Sequence, residues 1–338
     1  MPACSRTVAV LYSIALFVPI CLGVGAVAQT SLDDVHVMSR QTTPAVASLV
    51  ASTQLVAGSY LHVIKRDVNL VLVPVSVTDP LQRLVTGLGR ENFQVFEGKK
   101  PQEIRHFSSE DTPVSVGIIL DSSGSMKDKM DRVREAVRQF CETANPQDEF
   151  FMITFADEPR LVSDFTSVPE EIEKELLFTQ PKGRTALLDA VYMALGKMHE
   201  AKYGKKALLI ISDGGDNHSL YSERDVKATA KESDVMIYGI GTFDRYVPTP
   251  EEWRGPALLA EIAEPTGGRA FTIENVIELP AIASHIGKEL RTQYVLGYRP
   301  EQMPKDGKWH KIQVKLRLPR KLSFLRARTK TGYYASAQ

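Results

Sequence analysis

Apolar residues recur along this chain with two different periods, and the places where the period changes divide it into segments. Between Val68 and Thr78 the valines Val71, Val73, Val75 and Val77 occupy alternate positions, the pattern of a half-buried strand. Pro74 lacks a backbone N–H and therefore predicts a sheet edge. Asp79-Pro80 turns the chain. Further short strands are expected at Arg83–Val85, Phe93–Glu97 and Gln102–Phe107, with Gly98 turning between the last of these. Residues 66–112 thus read as a small all-β segment.

From Val114 the texture changes to apolar runs separated by helical periodicity, which predicts a mostly parallel sheet covered by helices on both faces. Strands are expected at Val114–Leu120, Phe150–Phe155, Leu161–Phe165, Ala207–Ile211, Val235–Ile240 and Ala270–Ile273. Helices are expected to begin near Ser125, Val168, Thr185, Glu223 and Ala257, with a last one from Ile277 to Arg291. The Leu161 strand follows its neighbour after a short turn and is expected to run antiparallel at an edge.

Beyond that helix, Ile312, Val314, Leu316 and Leu318 alternate with Lys311, Gln313, Lys315 and Arg317, giving one buried and one solvated strand face. That face explains the basic tail from Lys305 to Lys330 more simply than an anion site does. Neither β segment is large enough to bury a core comfortably by itself. The first strand of the middle unit enters, and its last helix leaves, at the same edge of the sheet, so the flanks are expected to complete one sandwich. The fold class is therefore α/β: a doubly wound, mostly parallel six-stranded sheet at residues 113–292, with a small immunoglobulin-like all-β sandwich built from residues 66–112 and 293–338.

The amino-terminal end changes the picture of where the protein works. Arg6 precedes an apolar run from Val8 to Leu22, and the small-residue stretch through Ala26-Val27-Ala28 follows. This is the layout of a secretory signal at residues 1–28 with cleavage after Ala28. An uncleaved membrane anchor is the alternative, since the run is just long enough to span a bilayer. The chain is expected to be exported, to the periplasm or beyond, touching membrane only through that segment. Residues 29–65 have no clean period and read as a linker or arm.

Equal numbers of basic and acidic side chains, 41 of each, leave no global field to gather nucleic acid or anionic lipid. Of the 3 cysteines, Cys4 and Cys21 lie in the signal, leaving Cys141 at helical spacing with Met130, Val133, Val137 and Phe140, a core position. An exported fold without an internal disulfide must be stabilised by its hydrophobic core.

The candidate chemistry stands at the carboxyl ends of strands. Asp121-Ser122-Ser123-Gly124-Ser125 follows the first strand of the middle unit, where open α/β sheets bind ligands. By itself the segment is also an ordinary helix cap and turn. Gly183-Arg184-Thr185 opens another helix, and Ser212-Asp213-Gly214-Gly215-Asp216-Asn217 follows the Ala207 strand. If those strands are neighbours, Ser123, Ser125 and Thr185 converge with Asp121 and Asp213. Hydroxyl and carboxylate oxygens without cysteine suit a hard divalent cation. Asp189 and Asp216 are candidates for hydrogen bonding within the site, although Asp189 near a helix start equally complements the helix dipole. Asn217 and His218 are expected at the rim.

Asp121-x-Ser123-x-Ser125, Thr185 and Asp213 match every position of the metal ion-dependent adhesion site of von Willebrand factor A domains. The strand Val116–Leu120 and the phrases Thr185–Ala190, Gly239-Ile240-Gly241 and Thr266–Arg269 agree. The likeness covers Val114 to Arg291 and implies a Rossmann-like fold. The flanking Glu91–Gly98, Gln293–Tyr298 and Gly332-Tyr333-Tyr334 resemble the exported von Willebrand factor A-related acidobacterial family. The resemblance implies Ser123 and Ser125 as direct ligands, Thr185 as a ligand that changes with ligand state, and Asp121 and Asp213 acting mostly through bound water. It implies Mg²⁺, with Mn²⁺ or Ca²⁺ as alternatives, and a protein partner that offers an exposed Asp or Glu to the metal.

Other function classes remain. A structural envelope module would use the same donors for a metal that meets no partner. A Mg²⁺-dependent hydrolase passing through an aspartyl-phosphate needs a second acid two residues after its nucleophile, and Ser123 stands there instead. The surroundings of Ser123 are not those of a nucleophile elbow either. No catalytic residue is assigned.

Overall fold

Alternation and apolar runs become strands close to where the sequence places them. The structure, a computed structural model, describes residues 70–213, 215–243, 250–300 and 307–335. The signal segment 1–28, the arm 29–65, the start of the first β segment, Gly214 and Lys305 lie outside them.

The central sheet is ordered β10-β9-β8-β5-β6-β7. Its strands are β5 (Ser115–Asp121), β6 (Glu149–Phe155), β7 (Pro159–Thr166), β8 (Lys206–Ser212), β9 (Val235–Thr242) and β10 (Arg269–Ile273). All neighbours pair in parallel except β7, the antiparallel edge. Every residue of β5 is buried, as a central strand covered on both faces requires.

Odd and even positions of the strands feed two cores. Val116, Ile118 and Leu120 pack with α1 (Met130–Cys141), α2 (Pro169–Phe178) and α6 (Leu279–Arg291). Ile119, Phe151 and Ile210 pack with α3 (Leu187–Lys197), α4 (Glu223–Glu232) and α5 (Pro250–Ala263). Cys141 lies in the first of these cores, and burial pushes its thiol up to about 12, so it is an inert apolar filler.

The flanking segments interleave into two four-stranded sheets, β13-β1-β11-β4 and β14-β12-β2-β3. The amino-terminal flank supplies β1 (Val71–Thr78), β2 (Phe93–Glu97), β3 (Lys100–Gln102) and β4 (Ile104–Ser108). The carboxyl-terminal flank supplies β11 (Tyr294–Tyr298), β12 (Trp309–Leu316), β13 (Arg326–Thr329) and β14 (Gly332–Tyr334). One core joins them, with Val73, Val75, Val95 and Ile104 packed against Tyr294, Leu296, Ile312 and Val314. On β12 the residues Lys311, Gln313 and Lys315 are exposed between buried Ile312 and Val314, so the basic tail is a solvated strand face.

Four expectations need correction. Strand β1 is interior, not an edge; Pro74 is tolerated because the β13 ladder begins only at Val75, and the Pro74 carbonyl accepts the Thr329 hydroxyl at 2.8 Å. Arg83–Val85 makes a single bridge, Thr78 to Leu84, because Asp79 folds the segment back by accepting from Leu81 N, Arg83 N and Arg83 Nε. Gln102–Phe107 is not one strand: the chain changes sheet at Glu103, which turns Ile104 into the shared core. The helix expected at Ala257 begins at Pro250 and carries Pro256 inside it, its carboxyl half held by the burial of Leu258, Leu259 and Ile262.

A buried polar bracket ties the sandwich to the central sheet. Arg269 meets Glu289 at 2.8 Å with side chains 7% and 1% exposed, and also contacts Gln82 and His285. Tyr238 donates to the other Glu289 oxygen, and Gln293 donates to Ser76 on β1. Glu289→Ala would leave the Arg269 guanidinium buried without its carboxylate, an expected loss of about 3–5 kcal/mol in chemical denaturation. A loss below about 1 kcal/mol would mean that Gln82 and His285 suffice as partners.

Candidate metal centre

Strand order creates the site. From β5 the chain moves to β6 and β7 on one side, then crosses to β8, β9 and β10 on the other, so β5 and β8 flank the topological switch point. Loops leaving their carboxyl ends diverge there and open a crevice. Leu120 pairs with Ile211, which sets Asp121 beside Ser212 and brings Asp213 to the same place.

The loop after β5 is a 3-10 helix, Gly124–Lys129, before α1 begins at Met130, and not the α-helix expected from Ser125. Its tighter winding closes Met126 N onto Ser123 O at 3.1 Å and sets the two serine hydroxyls 3.0 Å apart. Ser125 then donates to Asp213 Oδ1 at 3.0 Å. Asp121 is fully buried; it accepts from Ser123 N at 2.8 Å and from the Ser212 hydroxyl at 2.6 Å. Burial, reinforced by the neighbouring Asp213 charge, raises Asp121 to about 6. Two buried carboxylates whose charges oppose each other make a place where a cation is stabilising.

Thr185 is buried on the loop before α3, which backbone bonds hold against the loop after β5. Lys182 N donates to Ser122 O at 2.9 Å and Gly124 N to Gly183 O at 3.2 Å, fastening that loop to the one after β5. Gly183 takes φ +87° against the Asp157 carboxylate, a conformation and a space that suit glycine. Asn217 Oδ1 accepts from Thr185 N at 2.9 Å, and Asn217 N donates back to Thr185 O at 3.0 Å. Asn217 thus sets the position of Thr185.

The remaining candidates shape loops. Asp189 accepts from Leu220 N and Tyr221 N, pinning the loop after β8. Asp216 caps α3 at Leu188 N and accepts from Ser219. The His218 ring meets Arg184, which also holds Asp157, on the exposed rim. Sequence reasoning missed Lys129, whose Nζ lies 2.7 Å from Asp213 Oδ2; a lysine in a charged surface stretch gives no signal until the fold turns it inward.

Among the described residues no three His, Cys, Asp or Glu side chains gather as a metal cage. The donor set is instead mixed: the hydroxyls of Ser123 and Ser125 with the carboxylates of Asp213 and Asp121, all oxygen and with few formal charges. That chemistry fits a hard divalent cation such as Mg²⁺, Mn²⁺ or Ca²⁺.

The family model of the von Willebrand factor type A domain matches residues 116–215, the stretch that carries this crevice. Inter-alpha-trypsin inhibitor heavy chain H4 of Bos taurus is 24% identical over 208 residues, covering 55% of this chain and 22% of that protein. An uncharacterized protein of Borreliella burgdorferi is 24% identical over 182 residues, covering 47% and 53%. This chain therefore spans from about a fifth to about half the length of these relatives. Among solved structures, a von Willebrand factor type A protein from Catenulispora acidiphila superposes with a TM-score of 0.46 at 13% identity, covering 79% of this chain and 73% of that one. Proximal thread matrix protein 1 from the mussel byssus, with a zinc-occupied metal ion-dependent adhesion site, has a TM-score of 0.47 at 17% identity, covering 58% and 50%. The von Willebrand factor type A match, residues 116–215, thus lies on the six-stranded, doubly wound sheet and takes in the loops after β5 and before α3 that line the crevice.

Proposed function

We propose that this protein is an exported, non-catalytic binding module that captures an acidic side chain of a protein partner through a divalent cation. The observation that carries the reading is the contact chain Ser123–Ser125–Asp213 beside buried Asp121 at the switch point. Ser123, Ser125, Thr185, Asp121 and Asp213 would hold the ion. Neutral hydroxyls leave a bound ion much of its positive charge, so it supplies Lewis acidity toward an incoming carboxylate. The protein's part is to hold the serines and Asp213 in register and to place Thr185 on a separate loop.

Catalysis is disfavoured on the same geometry. Ser123 Oγ meets another hydroxyl, and the His218 imidazole is engaged by Arg184, so neither contact sets an imidazole to activate Ser123. Export rests on the layout of residues 1–28; no helix among the described residues is long and apolar enough to cross a membrane. The acidobacterial exported family and an envelope location belong to this proposal, as does the choice of Mg²⁺.

The test is capture of partners from cell-envelope extract with and without EDTA, by wild type and Thr185→Ala. Partner binding is expected to vanish with EDTA. It should weaken on the order of tenfold in Thr185→Ala, about 1.4 kcal/mol, while metal affinity changes less. A partner indifferent to both would sink the mechanism, and a metal that binds but recruits nothing would favour the purely structural module.

A further inference from the structure

The cation that faces the centre belongs to the protein. Lys129 ends the 3-10 helix that carries the serines, and its Nζ lies 2.7 Å from Asp213 Oδ2. The aspartate side chain is 3% exposed and the lysine 27%, so water screens the pair only in part. The other oxygen of that carboxylate, Oδ1, accepts the Ser125 hydroxyl. One edge of Asp213 therefore looks toward the hydroxyl donors and the other toward a tethered ammonium. Arg184, a cation of the rim, is turned to Asp157 and His218 instead.

Charge decides what Lys129 does. The Asp121 and Asp213 carboxylates together match one divalent cation. Without metal, Lys129 partly offsets their mutual repulsion. With metal, the ammonium is a like charge on the far side of a carboxylate that serves the ion, and it withdraws part of that carboxylate's attraction. We propose that Lys129 is a built-in competitor that stabilises the metal-free centre, weakens divalent-ion binding and leaves the loaded centre with an excess positive charge for an incoming carboxylate. This rests on the metal reading given above.

The experiment is calorimetric titration of the full chain with Mn²⁺ and Mg²⁺, in wild type, Lys129→Met and Lys129→Arg, with thermal unfolding of each protein with and without metal. Lys129→Met is expected to bind Mn²⁺ on the order of tenfold tighter, because a nearby like charge has been removed. Lys129→Arg keeps the charge and should stay within about threefold of wild type. The rise in Tm on adding metal should be larger for Lys129→Met, whose metal-free form has lost its internal cation. Should Lys129→Met fail to fold, Lys129→Gln, which keeps a donor to Asp213 without the charge, takes its place with the same expectation. Equal affinity in wild type and the neutral variant overturns the competitor role. Weaker affinity in the neutral variant does so too, since it would make Lys129 a positioning residue for Asp213. Absence of binding in every variant overturns the metal reading itself, and this inference with it; tight binding by the neutral variant alone supports both.

Discussion

Simultaneous replacement of Asp121 and Ser123 by alanine is expected to abolish divalent-cation binding while leaving the fold in place. Asp121 is fully buried at the end of β5, and Ser123 stands at the start of the hydroxyl chain that leads to Asp213. Their removal leaves Ser125, Thr185 and Asp213, too few donors to compete with water for a hard ion. The structural cost is limited. Losing Asp121 removes the acceptor of Ser123 N and one partner of the Ser212 hydroxyl, about 1–3 kcal/mol by itself. It also removes one of two buried carboxylates that repel each other, which offsets part of that cost. Calorimetry should show a single saturable site for Mg²⁺ or Mn²⁺ in wild type and no binding in the double variant, with circular dichroism unchanged. Equal binding by both proteins would show that the ion sits elsewhere.

Ending the chain at Arg291 should strip residues 71–108 of their protection from proteolysis. Such a truncation removes β11 and β13, the neighbours on both sides of β1, and β12, the neighbour of β2. Only the β2–β3 hairpin would keep its partner, and an isolated hairpin is marginal in water. Val73, Val75 and Val95 would lose Tyr294, Leu296, Ile312 and Val314 from their shared core. Limited proteolysis followed by mass spectrometry should find rapid cleavage in 71–108 while the central sheet resists. Protection equal to that of the whole chain would mean that the amino-terminal strands fold without the carboxyl-terminal ones.

Local pattern accounts for most elements because their periodicity is strong and their burial one-sided or complete. The β5 run Val116–Leu120 is apolar throughout because helices cover both faces, and β12 alternates because one face is wet. Pattern failed where a tertiary partner outweighed it. Pro74 suggested an edge, yet the end of a neighbouring ladder meets the same chemical need in an interior strand. Asp79 captured the backbone of Arg83 and left no strand there. Ile104 drew the chain from one sheet to the other because the core lay between them.

The candidate site divides in the same way. Residue types and spacing in the chain already specified an oxygen-rich set around Asp121, Ser123 and Ser125, since donors separated by single residues on one loop need no distant contact to lie close. Whether Asp213 joined them depended on β8 lying beside β5, a strand order that no local pattern encodes. Only the tertiary structure decided that Asn217 holds Thr185, that Asp189 pins the following loop, and that Lys129 turns back onto Asp213. These are pairings across 31 to 84 residues, made by short polar groups and a flexible lysine with no periodicity of their own. Their geometry exists only after the hydrophobic strands have chosen their neighbours.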